Sequence, residues 1–367
     1  MIVPDEIFIM DNNYTALFRL VQAAMGNNYS SLPDNIDWEA VVDLAAKHGV
    51  GALTMDGLNT LFQNGYIAKE QIPPIRVRAQ WGGLQQYAEQ NYDRQQSALR
   101  ALDRLLEGKP FKALVFKGIS LSLYFPVAKH RECCDIDMYA MNGCYDELET
   151  CLLNDGGRVD HHDTKHASIK YKNAWVELHH YFLSSFVSPK LKRMNAVLEN
   201  MLTESEVLPG YKNIYRPSKE FDLMFVLIHA ANHYKKEGIA IRHIIDWALV
   251  LKSNDYVWQK EMLEDMKLLK FASILNRIAR ENLGFDIPNE MCQCADNDYK
   301  RVLNDILYPQ YESQQNTSKA NLLLRKYKRF TSRRWTYPLV GDNFWRVTLA
   351  SIIDHIVDPT AFFRGNK

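Results

Sequence analysis

Two acids, one residue apart inside an apolar strand, set the strongest limit on what this chain can fold into. The stretch from Cys134 to Ala140 reads CDIDMYA and alternates as a β-strand. Residues i and i+2 of a strand share a face, so Asp135 and Asp137 point the same way, about 7 Å apart at their Cα atoms. Ile136 and Met138 point the other way. Burying a carboxylate costs several kcal/mol unless something compensates it. Two like charges this close also raise each other's pKa unless a cation joins them. The fold must therefore leave this sheet face in water or bring compensating groups to it.

The residues just upstream suggest one compensator. Lys112 to Phe116 (KALVF) reads as a buried strand, and SLSLYF after it as a helix or its first turns. Between them, Lys117-Gly118-Ile119-Ser120 forms a small-residue turn at a helix N-terminus, where backbone N–H groups and the helix dipole favour a phosphate. Lys117 adds a charge and Ser120 a hydroxyl. Taken alone, such a turn is as well read as a plain strand-to-helix connection. Downstream, Glu177 alternates with Val176 and Leu178, and a neighbouring strand could bring it beside the aspartates. Three carboxylates suit a hard divalent cation such as magnesium. The alternative is an open, one-sided sheet with all three acids outward in water.

The rest of the chain supplies helices on both sides of this unit. From Asn12 to about Leu106 the apolar spacing is helical: Val41, Val42, Leu44, Ala45, Val50 and Leu53 near one face, with Asp37 as N-cap, then Leu99, Leu102, Leu105 and Leu106,. Pro73-Pro74 separates the two stretches. YDELETCLLNDGG predicts a helix, and ASIKYK and WVELHHYF predict two strands joined by a Lys-Asn-Ala turn. The order β-α-β-α-β-β describes a compact α/β unit. After Pro189 the pattern returns to helix. The expected fold is thus α+β: an N-terminal helical region over 1–108, a small mixed-sheet core over 109–188 and a C-terminal helical region over 189–367.

Composition narrows the function classes. Forty-four basic and 44 acidic residues balance, so no global field draws nucleic acid or an anionic membrane. The six cysteines show no repeated C-x-x-C, which fits free thiols in a reducing cytosol,. Cys292 and Cys294 lack nearby ligands to complete a metal site. The N-terminal stretch has no signal-peptide pattern. No apolar run is long enough to span a bilayer, since Asp354 and His355 break the closest,. A cytoplasmic protein is expected.

The quoted motifs resemble a known family. A hydrophobic strand, a glycine with a nearby serine, a helix, an acid-x-acid strand and a later acid are similar to nucleotidyltransferases of the DNA polymerase β type. More narrowly, Lys117-Gly118, Tyr124, Pro126, Arg131, Asp135, Asp137, Glu177 and His179 resemble the bacterial group called uncharacterised nucleotidyltransferases. The flanking LAAKHGV and LIHAANH...RHIIDWALVL also match. One departure is Gly118-Ile119-Ser120, where the wider superfamily has Gly-Ser or Gly-Gly adjacent. The resemblance implies Mg2+ (or Mn2+) held by Asp135, Asp137 and Glu177, an NTP substrate, and transfer of its NMP to a hydroxyl. It leaves the acceptor unidentified, with a small molecule or protein favoured over nucleic acid. Lys117, Gly118, Ser120, Arg131 and His179 would bind nucleotide. Rival readings are an inactive nucleotide-binding or interaction module and a toxin-like enzyme acting on tRNA.

Outside the core, His229 and His233 lie four apart on one helix face, and Arg242 and Asp246 are spaced for an i,i+4 pair,. All four are weak candidates for substrate binding. Arg131 could instead pair with a nearby acid. His161, His162 and His166 fall in a stretch that reads as a solvated loop. Arg325, Lys326, Lys328, Arg329, Arg333 and Arg334 interleave with aromatics. That stripe is either a contact for RNA or phospholipid or the wet face of a helix.

Overall fold

The structure, a computed structural model, describes residues 10–162, 166–183, 189–308 and 331–357. Helices α1 (Asn12–Ala24), α2 (Trp38–Lys47), α3 (Gly51–Gln63) and α4 (Ile75–Leu105) precede the sheet. Asp37 caps α2 as the sequence suggests, its carboxylate accepting from the Ala40 N–H at 3.1 Å,. The central unit runs β1 (Ala113–Phe116), α5 (Gly118–Ser122), β2 (Asp135–Ala140), α6 (Tyr145–Asn154), β3 (Arg158–His162), β4 (His166–Tyr171) and β5 (Ala174–His179). Then come α7 (Pro189–Asn200), β6 (Glu206–Val207), β7 (Ile214–Arg216), α8 (Lys219–Lys236) and α9 (Ile241–Ser253). The described chain closes with α10 (Lys260–Asp265), α11 (Leu269–Leu283), α12 (Asp296–Leu307) and α13 (Phe344–Val357).

The sheet is seven-stranded and mixed, in the order β3-β4-β5-β2-β1-β7-β6. Strand β2 runs antiparallel to β1 and parallel to β5, and β7 runs parallel to β1 on the other side. The β4–β5 hairpin turns on Lys172 and Asn173, both with positive φ (46° and 66°). That is the twist a two-residue hairpin loop requires. The α+β expectation holds. Strands β3, β6 and β7 were not expected, and they correct the reading of their segments. His161 and His162 close β3 and His166 opens β4, where a solvated loop was anticipated.

Alternation divides the side chains between two faces. Ile136, Met138, Val176 and Leu178 are buried on the back face with Leu99 and Leu102 of α4 and Leu148 and Leu152 of α6. Leu114 and Phe116 point to the front and join Phe182, Phe221 and Phe225 in the larger core. Edge-to-face ring contacts link Phe116 to Phe182 and Phe225 at 5.1 and 5.2 Å,. Helix α8, capped by the Ser218 hydroxyl, is the apolar post against which the front of the sheet rests. Among the described residues no helix is long and apolar enough to cross a membrane.

Candidate active site

The turn from β1 into α5 is the tightest point of the site. Lys117 takes φ 55° and ψ −139°, a conformation that costs a non-glycine residue on the order of 1–3 kcal/mol. Gly118 follows because a Cβ there would lie 3.2 Å from the Asp135 carbonyl oxygen. The turn is bolted from outside by buried Arg131, which donates to the Gly118 carbonyl at 3.0 Å and to both oxygens of Asp246 at 2.8 and 2.9 Å. Such a two-pronged pair fixes orientation as well as charge. Ser120 is fully buried, its hydroxyl without a hydrogen-bond partner. Helix α5 is only five residues long, so the dipole contribution expected from the sequence is small.

Strand register gathers the acids. Asp137 on β2 is directly opposite Glu177 on β5, and Asp135 is one pleat away on the same face. The Lys117 ammonium lies 2.6 Å from Asp137 Oδ1. His179 Nε2 lies 3.0 Å from the same oxygen and 3.5 Å from Glu177 Oε2. His166 Nε2 is 3.7 Å from Glu177 Oε1. The residues around Asp137 supply the compensation its strand position demands.

The three carboxylates titrate differently because their partners differ. Burial pushes Asp137 up, but the Lys117 ammonium and the His179 hydrogen bond outweigh it and hold the group well below the usual carboxylate range,. Burial also raises Glu177, and His179 again prevails, leaving it below its ordinary value. Asp135 is pushed up to about 6, first by burial and then by the charges of Asp137 and Glu177. Burial lowers the Lys117 ammonium, yet Asp137 more than offsets this and keeps it above its ordinary value.

The donor chemistry of these residues suits a divalent cation. Three hard oxygen donors share one face of two adjacent strands, and the raised Asp135 marks negative charge that Lys117 balances only in part. His166, Glu177 and His179 bring one ligand atom each within 4.8 Å of one another. They, rather than the three acids, are the group at metal-ligand spacing among the described residues. Asp137 turns instead toward Lys117 and His179. The buried Nδ1 of His179 has no hydrogen-bond partner, whereas a metal-bound imidazole ordinarily donates from its second nitrogen. His179 is thus built to donate from Nε2 to two carboxylates.

A cleft of about 1360 Å³ opens in front of the carboxylates. Lys117, Gly118, Arg131, Asp135, Asp137 and Glu177 line it, as do His229, His233, Arg242 and Asp246. Ser120 and His179 do not reach its wall. Asp246 takes Arg131 as its partner, in place of the Arg242 that the spacing suggested. The Arg242 guanidinium donates instead to the Glu132 carbonyl at 2.7 Å. His166, Phe225, His48 and His243 also line the cleft and were not picked out by sequence as site residues. His166 pairs in register with His179 of β5, a signal hidden because the stretch that opens β4 reads as loop.

Part of the basic stripe is corrected. Arg333 is buried, pairs with Asp305 at 2.9 Å and donates to the Tyr234 carbonyl, so it is neither a wet face nor a nucleic-acid contact. Arg325, Lys326, Lys328 and Arg329 lie outside the described residues. All six cysteines are free thiols, and Cys292 and Cys294 belong to no metal-spaced group among the described residues.

A family model described as "Uncharacterised nucleotidyltransferase" matches residues 34–284. That span holds the whole sheet with α2, α8 and α9, while the cleft residues Asp11, Asn13, Tyr14 and those at 305–308 lie outside it. No curated protein and no solved structure matches the chain.

Proposed function

The chain belongs to the uncharacterised nucleotidyltransferase family, and on that premise we propose that it moves an NMP from an NTP to a hydroxyl of a small-molecule or protein acceptor. Asp135, Asp137 and Glu177 would hold Mg2+ or Mn2+. The observation that carries this reading is the register that pairs Asp137 with Glu177, with Asp135 on the same face beside the Lys117-Gly118 turn. Such a cation would offset the negative charge that develops on the phosphates during transfer.

The chain's own residues do the positioning. Lys117 brings a permanent positive charge to the mouth of the carboxylate cluster, where triphosphate oxygens would sit. Arg131 and Asp246 hold the turn that carries Lys117, so Arg131 acts through the turn and not as a free phosphate ligand. His179 orients Asp137 and Glu177. The acceptor oxygen attacks the α-phosphorus in line, the bond to the bridging oxygen breaks, pyrophosphate leaves, and a carboxylate of the cluster takes the hydroxyl proton. Orientation and charge compensation supply most of the rate.

A polyanionic acceptor such as tRNA is disfavoured by the cleft itself. Asp11, Asp43 and Glu237 extend the acidic lining beyond the carboxylate cluster, while Lys47 and Arg242 are the basic residues there,. The test is incubation with α-labelled NTPs, magnesium and cell extract. Label on a metabolite or protein, lost in Asp137→Asn, supports the reading; label on RNA redirects it to the tRNA alternative. No label in any fraction, with wild type equal to Asp135→Ala, leaves only a binding module.

A further inference from the structure

Part of the cleft lining near Lys117 is made of rings. Phe225, His229 and His233 stand four residues apart on α8, hence on one face, and His243 joins them from α9. The Phe225 and His229 rings stack, with centroids 5.7 Å and planes 18° apart. His229 and His233 are 4.3 Å apart, and His243 lies 6.2 and 5.9 Å from them. The ladder starts at the phosphate end, since Lys117 Nζ is 6.0 Å from the Phe225 centroid. Two four-residue steps along a helix cover about 12 Å, the scale of a nucleotide from α-phosphate to the far edge of its base.

These imidazoles stand apart from the rest of their helix. Most of α8 between Phe221 and Tyr234 is buried, whereas His229 and His233 are half-open, as is His243, and all three line the cleft. They are not among the metal-spaced groups of the described residues. The Nδ1 of His243 accepts the Ala240 N–H at 3.1 Å, a role open only to a neutral ring. A row of flat, polarisable faces in a cleft rich in acids suits a planar, uncharged group.

We propose that the His229–His233–His243 ladder, backed by Phe225, is the subsite that stacks the nucleobase of the NTP. This rests on the nucleotidyl-transfer reading and adds to it where the base goes. Stacking uses a π-face that every base has, so it gives affinity with little choice among bases.

The test titrates full-length protein in magnesium with each of the four NTPs and, separately, with inorganic tripolyphosphate, which has no base. His229→Ala is expected to weaken every NTP by about tenfold and to leave tripolyphosphate unchanged. His229→Phe keeps a ring and is expected to bind NTPs like wild type, which also guards against a folding artefact. Unchanged NTP affinity in His229→Ala, with tripolyphosphate still bound, overturns the ladder and spares the nucleotidyl-transfer reading. Equal weakening of NTP and tripolyphosphate also overturns the base assignment. Failure of wild type to bind either ligand removes both.

Discussion

Lys117 concentrates the residue-scale logic. Its backbone is strained and its side chain is spent on Asp137, so the turn is held by charge more than by conformational preference. Lys117→Met would leave Asp137, 3% exposed at its side chain, as a buried charge without its closest partner. Breaking such a pair costs about 3–5 kcal/mol. We expect a marked loss in urea stability, with most of it recovered in Lys117→Met/Asp137→Asn, because the double variant removes the orphaned charge. A double variant as unstable as the single one would place the defect in the turn itself. Gly118→Ala tests the close approach to the Asp135 carbonyl. It should cost about 1 kcal/mol and reduce transfer far more than stability, since the backbone that must shift carries Asp135.

At the scale of elements, the sequence disclosed the strands whose two faces differ most. Strands β2 and β5 were legible because apolar residues mark one side and acids the other, and β1 because it is a continuous buried apolar run,. Strand β3, RVDHH, was not: it is an edge strand, mostly exposed, and no core selects its alternation. Strands β6 and β7 are two and three residues long, too short for any period. Glu177 could be nominated from sequence, but its register with Asp137 could not, because register is set by pairing across 40 residues of chain. The partnership of Arg131 with Asp246 was invisible for the same reason, as it joins the sheet to α9 across 115 residues. This link yields an element-scale prediction. Asp246→Ala should cost about 3–5 kcal/mol and loosen the β1–α5 turn. Arg131→Met/Asp246→Leu should restore folding without restoring transfer. Unfolding curves read the first effect and labelled-NTP turnover the second.

Across the whole molecule, buried groups oppose each other on acidification. Burial lowers His48 to about 4, so below pH 6.5 the unfolded chain takes up that proton first and stability falls until about pH 4. Asp222 runs the other way. Burial raises it to about 7 against the pull of Arg216, so the folded state takes its proton first and gains stability as pH drops from 7 towards 3.8. Each effect is on the order of 3–4 kcal/mol, and in the native chain they largely cancel. Urea midpoints followed from pH 7.5 to 4.5 should therefore fall more gently in His48→Gln than in wild type, and more steeply in Asp222→Asn. Parallel curves for all three would mean that neither group stays buried in its stated form.

The account rests on three carboxylates acting together on divalent cations and nucleotide. Calorimetric titration of MgATP or another Mg–NTP into wild type, Asp137→Asn and Glu177→Gln, with circular dichroism confirming that each variant folds, tests it most directly. The account predicts saturable uptake by wild type and loss of that uptake in both folded variants. Uptake that is equal in all three, or absent from wild type for every NTP, would contradict it.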